Sequence, residues 1–237
     1  MDLLNDNGSI TFITPNSWAN GSNLGTKKNI FNSVFQKYNC THINTSVNHF
    51  FPGIGKNISQ WTITKSTYNG KTIVSAGDIS ELIDIQKYPF FPNVFSFESL
   101  EIFERVLEYG LFYSEIVEKA TTQDRYYAFP KIRHNAGYRK GYRYDGENVD
   151  FPTSPVVVGI DCSNKTIEQV KSIHSQFESM VFKFLWKMHG ANDAGSFGWI
   201  LRNMPKLPDN TIYTDHDVFK ILNLSKANKA YVEANVK

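Results

Sequence analysis

The stretch Ser46-Val-Asn-His-Phe-Phe-Pro-Gly-Ile-Gly-Lys-Asn-Ile-Ser-Gln-Trp61 organises the chain. It joins two runs that read as strands, Cys40–Thr45 and Ile58–Lys65, through a loop holding adjacent phenylalanines, a proline and two glycines. A loop buries little surface, and phenylalanine is poorly accommodated in water. Phe50 and Phe51 therefore have two uses: they fold back into a core, or at least one ring is presented to a flat ligand.

Working outward, Ser9-Ile-Thr-Phe-Ile-Thr14 alternates and is rich in β-formers, so it predicts a strand that Pro15-Asn-Ser-Trp18 ends. After a Gly-rich polar stretch, Thr26 is placed to cap a helix over Lys27–Tyr38. Tyr68-Asn-Gly-Lys71 has the favoured hairpin-turn chemistry and leads into Thr72–Ser75. Residues 9–75 thus read strand, helix, strand, loop, strand, hairpin. That is part of an α/β sheet. A doubly wound domain needs further βα units, and its cofactor turn sits in the first of them. The expectation is that this chain begins in the middle of a sheet.

Further on, Ile79–Phe91 is apolar and predicts no regular element. Phe97–Tyr113 predicts a connecting helix, with Leu100, Phe103, Val106, Leu107 and Leu111 along a stripe. Residues 121–160 predict short strands broken by Gly, Pro and Asp-Gly turns. Thr166–His189 predicts one long amphipathic helix, with Ile167, Val170, His174, Phe177, Val181, Phe184 and Met188 at steps of three and four. Trp199–Met204 predicts a last short strand. Thr214 or Asp215 is placed to cap a helix through Asn223, and Ser225 to cap Lys226–Val236.

The totals are those of a protein with a real core: 237 residues, 41% hydrophobic, 20% charged, net charge +2. No run approaches the ~20 apolar residues of a membrane span. The acidic, polar start lacks an apolar signal region. Cys40 and Cys162, far apart and in strand-like runs, are expected to be reduced and buried in a cytoplasmic protein.

Chemistry is suggested most strongly by residues 125–144. There Arg125, Lys131, Arg133, Arg139, Lys140 and Arg143 interleave with Tyr126, Tyr127, Tyr138, Tyr142 and Tyr144. Cations for phosphates alongside flat amphipathic rings make a nucleic-acid surface, and a solvated hairpin with packed Lys and Arg stems has the same composition. Phe51-Pro-Gly-Ile-Gly55 matches Phe-X-Gly-X-Gly, a pattern used to bind S-adenosylmethionine. A cofactor turn leads from a strand into a helix, however, and Ile58–Lys65 reads as a strand. The six histidines show no metal-ligand spacing.

Ser9-Ile-Thr-Phe-Ile-Thr-Pro-Asn-Ser-Trp18, the helix after it and Val47-Asn-His-Phe-Phe-Pro-Gly-Ile-Gly-Lys-Asn-Ile-Ser-Gln-Trp-Thr-Ile63 resemble the later half of the catalytic domain of adenine-specific (N6) DNA methyltransferases, of the type II and fused restriction–modification kind. Ser175–Trp186 and Trp199–Pro208 resemble the closing elements of that family's target-recognition region. The resemblance implies an α/β fold: a partial Rossmann-like methyltransferase sheet followed by a mixed α+β target-recognition region. Its last strand would run antiparallel, forming a hairpin with its predecessor. The implied divisions are residues 1–95, the end of the catalytic domain; 96–120, a helical connector; 121–210, target recognition; and 211–237, a helical tail.

The resemblance also implies that Phe51 stacks a flipped adenine, with Phe50 as its neighbour and the expected core anchor. Arg125, Lys131, Arg133, Tyr138, Arg139, Lys140, Tyr142 and Arg143 would contact double-stranded DNA. The family's Asn-Pro-Pro-Tyr and cofactor turn are absent from this chain. S-adenosylmethionine is therefore expected only in a complete complex, with a partner supplying the N-terminal methyltransferase half. The alternative is a catalytically inert DNA-binding or anti-restriction decoy protein.

Overall fold

A computed structural model describes residues 3–16, 34–35, 37–54, 57–117, 126–130, 142–143, 157–189 and 197–236, with only the backbone course given for 126–130, 142–143, Val157 and Phe197. The chain forms two compact units, Met1–Phe97 and Glu98–Lys237. The target-recognition and tail segments of the sequence reading, and all of the 96–120 connector but its first two residues, fall within the second.

Among the described residues, the first unit is built on a mixed five-stranded sheet. Its strands are β1 (Ser9–Pro15), β2 (Asn39–Asn44), β3 (Ile58–Thr64), β4 (Thr72–Ala76) and β5 (Ile79–Ile83), in the order β1-β3-β2-β4-β5. β3 runs antiparallel to both β1 and β2, so β1 and β2 run the same way, and β2 pairs with β4 in parallel. Alternation explains the two faces. Trp61 and Ile63 of β3 join Cys40, Ile43, Val74 and Phe35 in the core, where Phe35 and Trp61 pack with ring centroids 4.9 Å apart. The opposite face carries hydroxyl pairs, Ser9 with Thr64 (2.7 Å) and Thr11 with Thr62 (2.8 Å), and a His42–Ser75–Ser80 chain.

Two expectations fail here. The Asn-Gly turn at Tyr68–Lys71 does not close a β3–β4 hairpin, because β4 lies beyond β2. Turn chemistry specifies a reversal but not the neighbour. Ile79–Ile83, expected to be irregular, is β5, paired antiparallel with β4 through the turn at Gly77 (φ 61°). Its side chains are exposed save Ile83, so the apolar alternation of a half-buried strand is missing.

The second unit holds α1 (Phe97–Tyr109, counted from Glu98), β6 (Ile116–Val117), β7 (Tyr126–Pro130), β8 (Tyr142–Arg143), β9 (Val157–Asp161), α2 (Ile167–Glu178), α3 (Met180–Met188), α4 (Phe197–Arg202), α5 (Asp215–Ile221) and α6 (Lys226–Asn235). The four strands form an antiparallel sheet in the order β6-β9-β7-β8. The long helix expected over Thr166–His189 is broken at Ser179, whose ψ of 150° is extended. Its hydroxyl donates to the Gln176 carbonyl at 2.6 Å and accepts from the Phe182 N–H, which ends α2 and caps α3. The Met180 N–H donates to Asp215 at 2.6 Å, a distant partner that no helical periodicity reveals.

Trp199–Met204, expected as a strand, is mostly the helix α4, packed on β6 and β9. A short apolar run fits either state, and burial of the consecutive Trp199, Ile200 and Leu201 decides for the helix. The caps expected at Thr214 and Ser225 are present, and Thr166 caps α2 in the same way, each closing a reciprocal capping box. Cys40 and Cys162 are buried and form no disulfide, and burial pushes the Cys40 thiol up to about 12. No helix among the described residues is long and apolar enough to cross a membrane.

Candidate functional site

The parallel strands β1 and β2 end on the same side of the sheet, where open α/β sheets place their ligands. The aromatic turn stands there. It leaves β2 through an Asn44 side chain that accepts from the Ser46 N–H (2.9 Å), while Thr45 donates from N–H and hydroxyl to the Ser75 carbonyl (2.9 and 3.0 Å). The Ser46 hydroxyl accepts from the Gly77 N–H, and His49 Nδ1 donates to the Ser46 carbonyl at 2.8 Å. Val47, 3% exposed, plants the first residue of a 3-10 turn over Val47–Phe50 in the core. The Phe51 N–H then closes on the Asn48 carbonyl (2.9 Å), and Ile54 N–H on the Phe51 carbonyl (3.3 Å). Gly53 supplies the φ of 84° that lets the chain turn back.

Asparagines fasten this turn to the end of the sheet. Asn48 Oδ1 accepts from the Ile58 N–H at 2.5 Å, joining the turn to the first residue of β3. The Asn57 carbonyl accepts from the Asn16 N–H at 2.8 Å, just past β1. The side-chain amides of Asn16 and Asn57 both donate to the Asn93 carbonyl, at 3.0 and 3.4 Å. Asn16 is 5% exposed, and its Oδ1 has no hydrogen-bond partner among the described residues. A buried acceptor left so costs about 1–3 kcal/mol, and an N–H brought by a ligand or partner would satisfy it. In the sequence these residues read only as part of an Asn-rich composition, so their joint role was missed.

Phe50 is 68% exposed and leans on the His49 ring, with centroids 3.8 Å apart and planes at 42°. The expectation that Phe50 anchors the core is corrected: Val47 does so, because the 3-10 turn points it inward and swings Phe50 out. Phe51 is half-buried, and Ile54 beside it is 51% exposed. The turn therefore offers an apolar surface on a hydrogen-bonded frame. Its Phe-X-Gly-X-Gly stretch leads into β3 and opens no helix, so it lacks the helix N-terminus on which a nucleotide-type cofactor is held. Among the described residues no group of His, Cys, Asp and Glu is arranged to hold a metal ion.

Asn48→Ala should leave the Ile58 N–H without its acceptor and cost about 1–3 kcal/mol. A urea-denaturation midpoint unchanged from wild type would show that the clamp carries no energy.

Of the expected DNA-contacting residues, Arg125, Lys131, Arg133, Tyr138, Arg139 and Lys140 lie outside the described residues. Tyr142 and Arg143 form β8, with Ala128 opposite Tyr142 and Tyr127 opposite Arg143. The expected pairing of short strands in this basic segment is thus present between β7 and β8. No protein-family model and no curated protein matches the chain.

Proposed function

We propose that this chain is the target-recognition half of a site-specific adenine-N6 DNA methyltransferase, joining late catalytic-domain strands to a DNA-reading region. The observation that carries the reading is the arrangement at the end of the first sheet. Two parallel strands have an antiparallel strand between them, and the Phe50–Phe51 turn projects from their carboxyl ends. A base drawn out of a duplex loses its stacking and needs a flat ring to recover it. Phe51, held at both backbone groups and half-buried, is the platform in this reading. Phe50, on its His49 support, is the outer ring beside it. In this reading Arg125, Lys131, Arg133, Arg139, Lys140 and Arg143 hold phosphates or read bases, with Tyr138 and Tyr142 among the DNA-contacting residues. The Phe51–Gly55 stretch leads into β3 rather than a helix, so in this reading the partner half holds S-adenosylmethionine and brings the Asn-Pro-Pro-Tyr loop.

The test is transfer of a labelled methyl group from S-adenosylmethionine to duplex DNA. It uses this chain alone and mixed with the polypeptide encoded immediately upstream. No transfer alone and N6-methyladenine from the mixture are expected. Activity of the chain alone overturns the half-enzyme reading, and DNA binding without transfer by the mixture favours the inert alternative. Replacing Arg139 and Arg143 by Glu should weaken DNA binding and lower the slope of log K against log salt by roughly 2, one for each lost phosphate contact. An unchanged slope returns that segment to a solvated hairpin.

A further inference from the structure

We infer that the outer edge of β1 is a docking strand, paired in the working protein with a strand from the edge of another polypeptide's α/β sheet. Among the described residues β1 has a neighbour on one side only, β3, with seven unbroken register pairs from Ser9–Thr64 to Pro15–Ile58. The flanking bonds fix which backbone groups are spent. Lys65 N–H donates to the Gly8 carbonyl (2.9 Å) and Asn16 N–H to the Asn57 carbonyl (2.8 Å). In an antiparallel ladder bonded residues alternate, so even-numbered residues from Gly8 to Asn16 face β3. Ser9, Thr11 and Ile13 then turn N–H and C=O outward.

Natural sheets blunt such edges with lysine, proline, a bulge or a very short strand. Over Ser9–Thr14 β1 has none of these. It is uncharged, seven residues long and regular, with its only proline at the end, Pro15.

The side chains indicate what covers the edge. Phe12 lies on the core face, its ring 4.5 Å from that of Trp61, yet is 38% exposed. Ile13 points to the opposite face and is 53% exposed. Apolar residues waiting on both faces mark a strand meant to lie inside a sheet covered on both sides, as in parallel α/β sheets. A lone peptide adding one strand would satisfy the backbone but leave both side chains wet. A strand that brings its own covering layers satisfies both, and β1 already runs parallel with β2. A second copy of this chain would bring a β1 edge, itself exposed on both faces, or the β5 edge, whose side chains are exposed save Ile83, so neither carries a covering layer on both faces. The identity of the partner rests on the half-enzyme reading; the surface does not.

The test uses proline at an outward-facing position. Thr11→Pro removes an N–H that β3 does not use, and an edge strand tolerates proline there. Ile13→Lys puts a charge on the same edge. Leu82→Lys, on β5 at the other end of the sheet, is the control. The probe is the tagged polypeptide encoded immediately upstream, and the readout is capture of the full chain. Wild type and Leu82→Lys should be captured, and Thr11→Pro and Ile13→Lys should bind at least tenfold more weakly, with circular dichroism of the free chains unchanged. Equal capture of all four, no capture of wild type, or a homodimer lost on Thr11→Pro overturns the proposal. Capture without methyl transfer leaves the docking strand standing and removes the methyltransferase reading. Methyl transfer insensitive to Thr11→Pro does the reverse.

Discussion

Phe51→Ala, in the two-part methyltransferase proposed above, is expected to lower methyl transfer to DNA by roughly 5- to 150-fold, the equivalent of ~1–3 kcal/mol of lost base stacking. The loss should fall on capture of the extruded base. DNA affinity measured on a duplex with an abasic target position should therefore stay near wild type, since no base is there to stack. Phe50→Ala should cost less, below about fivefold, because its ring is the more exposed of the two and contacts His49 within its own turn. Phe51 is the half-buried ring of the two, and its N–H and C=O are both bonded, which fixes its backbone. The opposite ranking would move the platform to Phe50. Unfolding of the Phe51 variant would show that this ring belongs to the core.

The second unit should lose stability as pH falls from 7 to 5, and His189 is the cause. Its side chain is buried between Phe103 and Trp199, both edge-on, with centroids at 5.8 and 5.5 Å. Burial pulls its pKa down to about 3, against the smaller opposing effect of a backbone hydrogen bond with Asn203. The unfolded chain takes up a proton near pH 6.5, whereas the folded unit resists it until about pH 3. Stability is therefore fully present above pH 6.5 and drains away toward pH 3. The slope is about 1.4 kcal/mol per pH unit, so up to about 2 kcal/mol is lost by pH 5. Carboxylates do not blur this window. Glu115, which the Lys206 ammonium holds at about 2 through a 2.6 Å hydrogen bond, loses its contribution only below the ordinary carboxylate range near pH 4. Urea denaturation of wild type and His189→Leu at pH 7 and 5 checks this. The variant should show little change between the two, and an equal drop in both proteins would place the acid sensitivity elsewhere.

Much of the local order was readable in the chain. Ser9–Thr14 and Ile58–Lys65 alternate and both form strands, and in β3 the alternation falls on a buried and a half-exposed face of the sheet. The caps at Thr166, Thr214 and Ser225 depend on groups within three residues, so their chemistry is entirely local. The aromatic turn was legible as an exception, two phenylalanines where polar residues are usual. Which ring would stand in water was not, since that depends on how the 3-10 turn seats Val47.

What the sequence determined by itself is therefore the strands β1 to β3, the capped helix starts and the turn with its two rings. Only the tertiary structure decided the neighbours and the breaks. β4 joins β2 in parallel and skips β3, since pairing is settled by burial between distant segments. α2 stops at Ser179 because Asp215 claims the next N–H, and the run at Trp199 is helical because the sheet of β6 and β9 packs against it. The asparagine clamp belongs with these. Asn16, Asn48, Asn57 and Asn93 meet only once the strands are in register, and they hold the aromatic turn at the end of the first sheet.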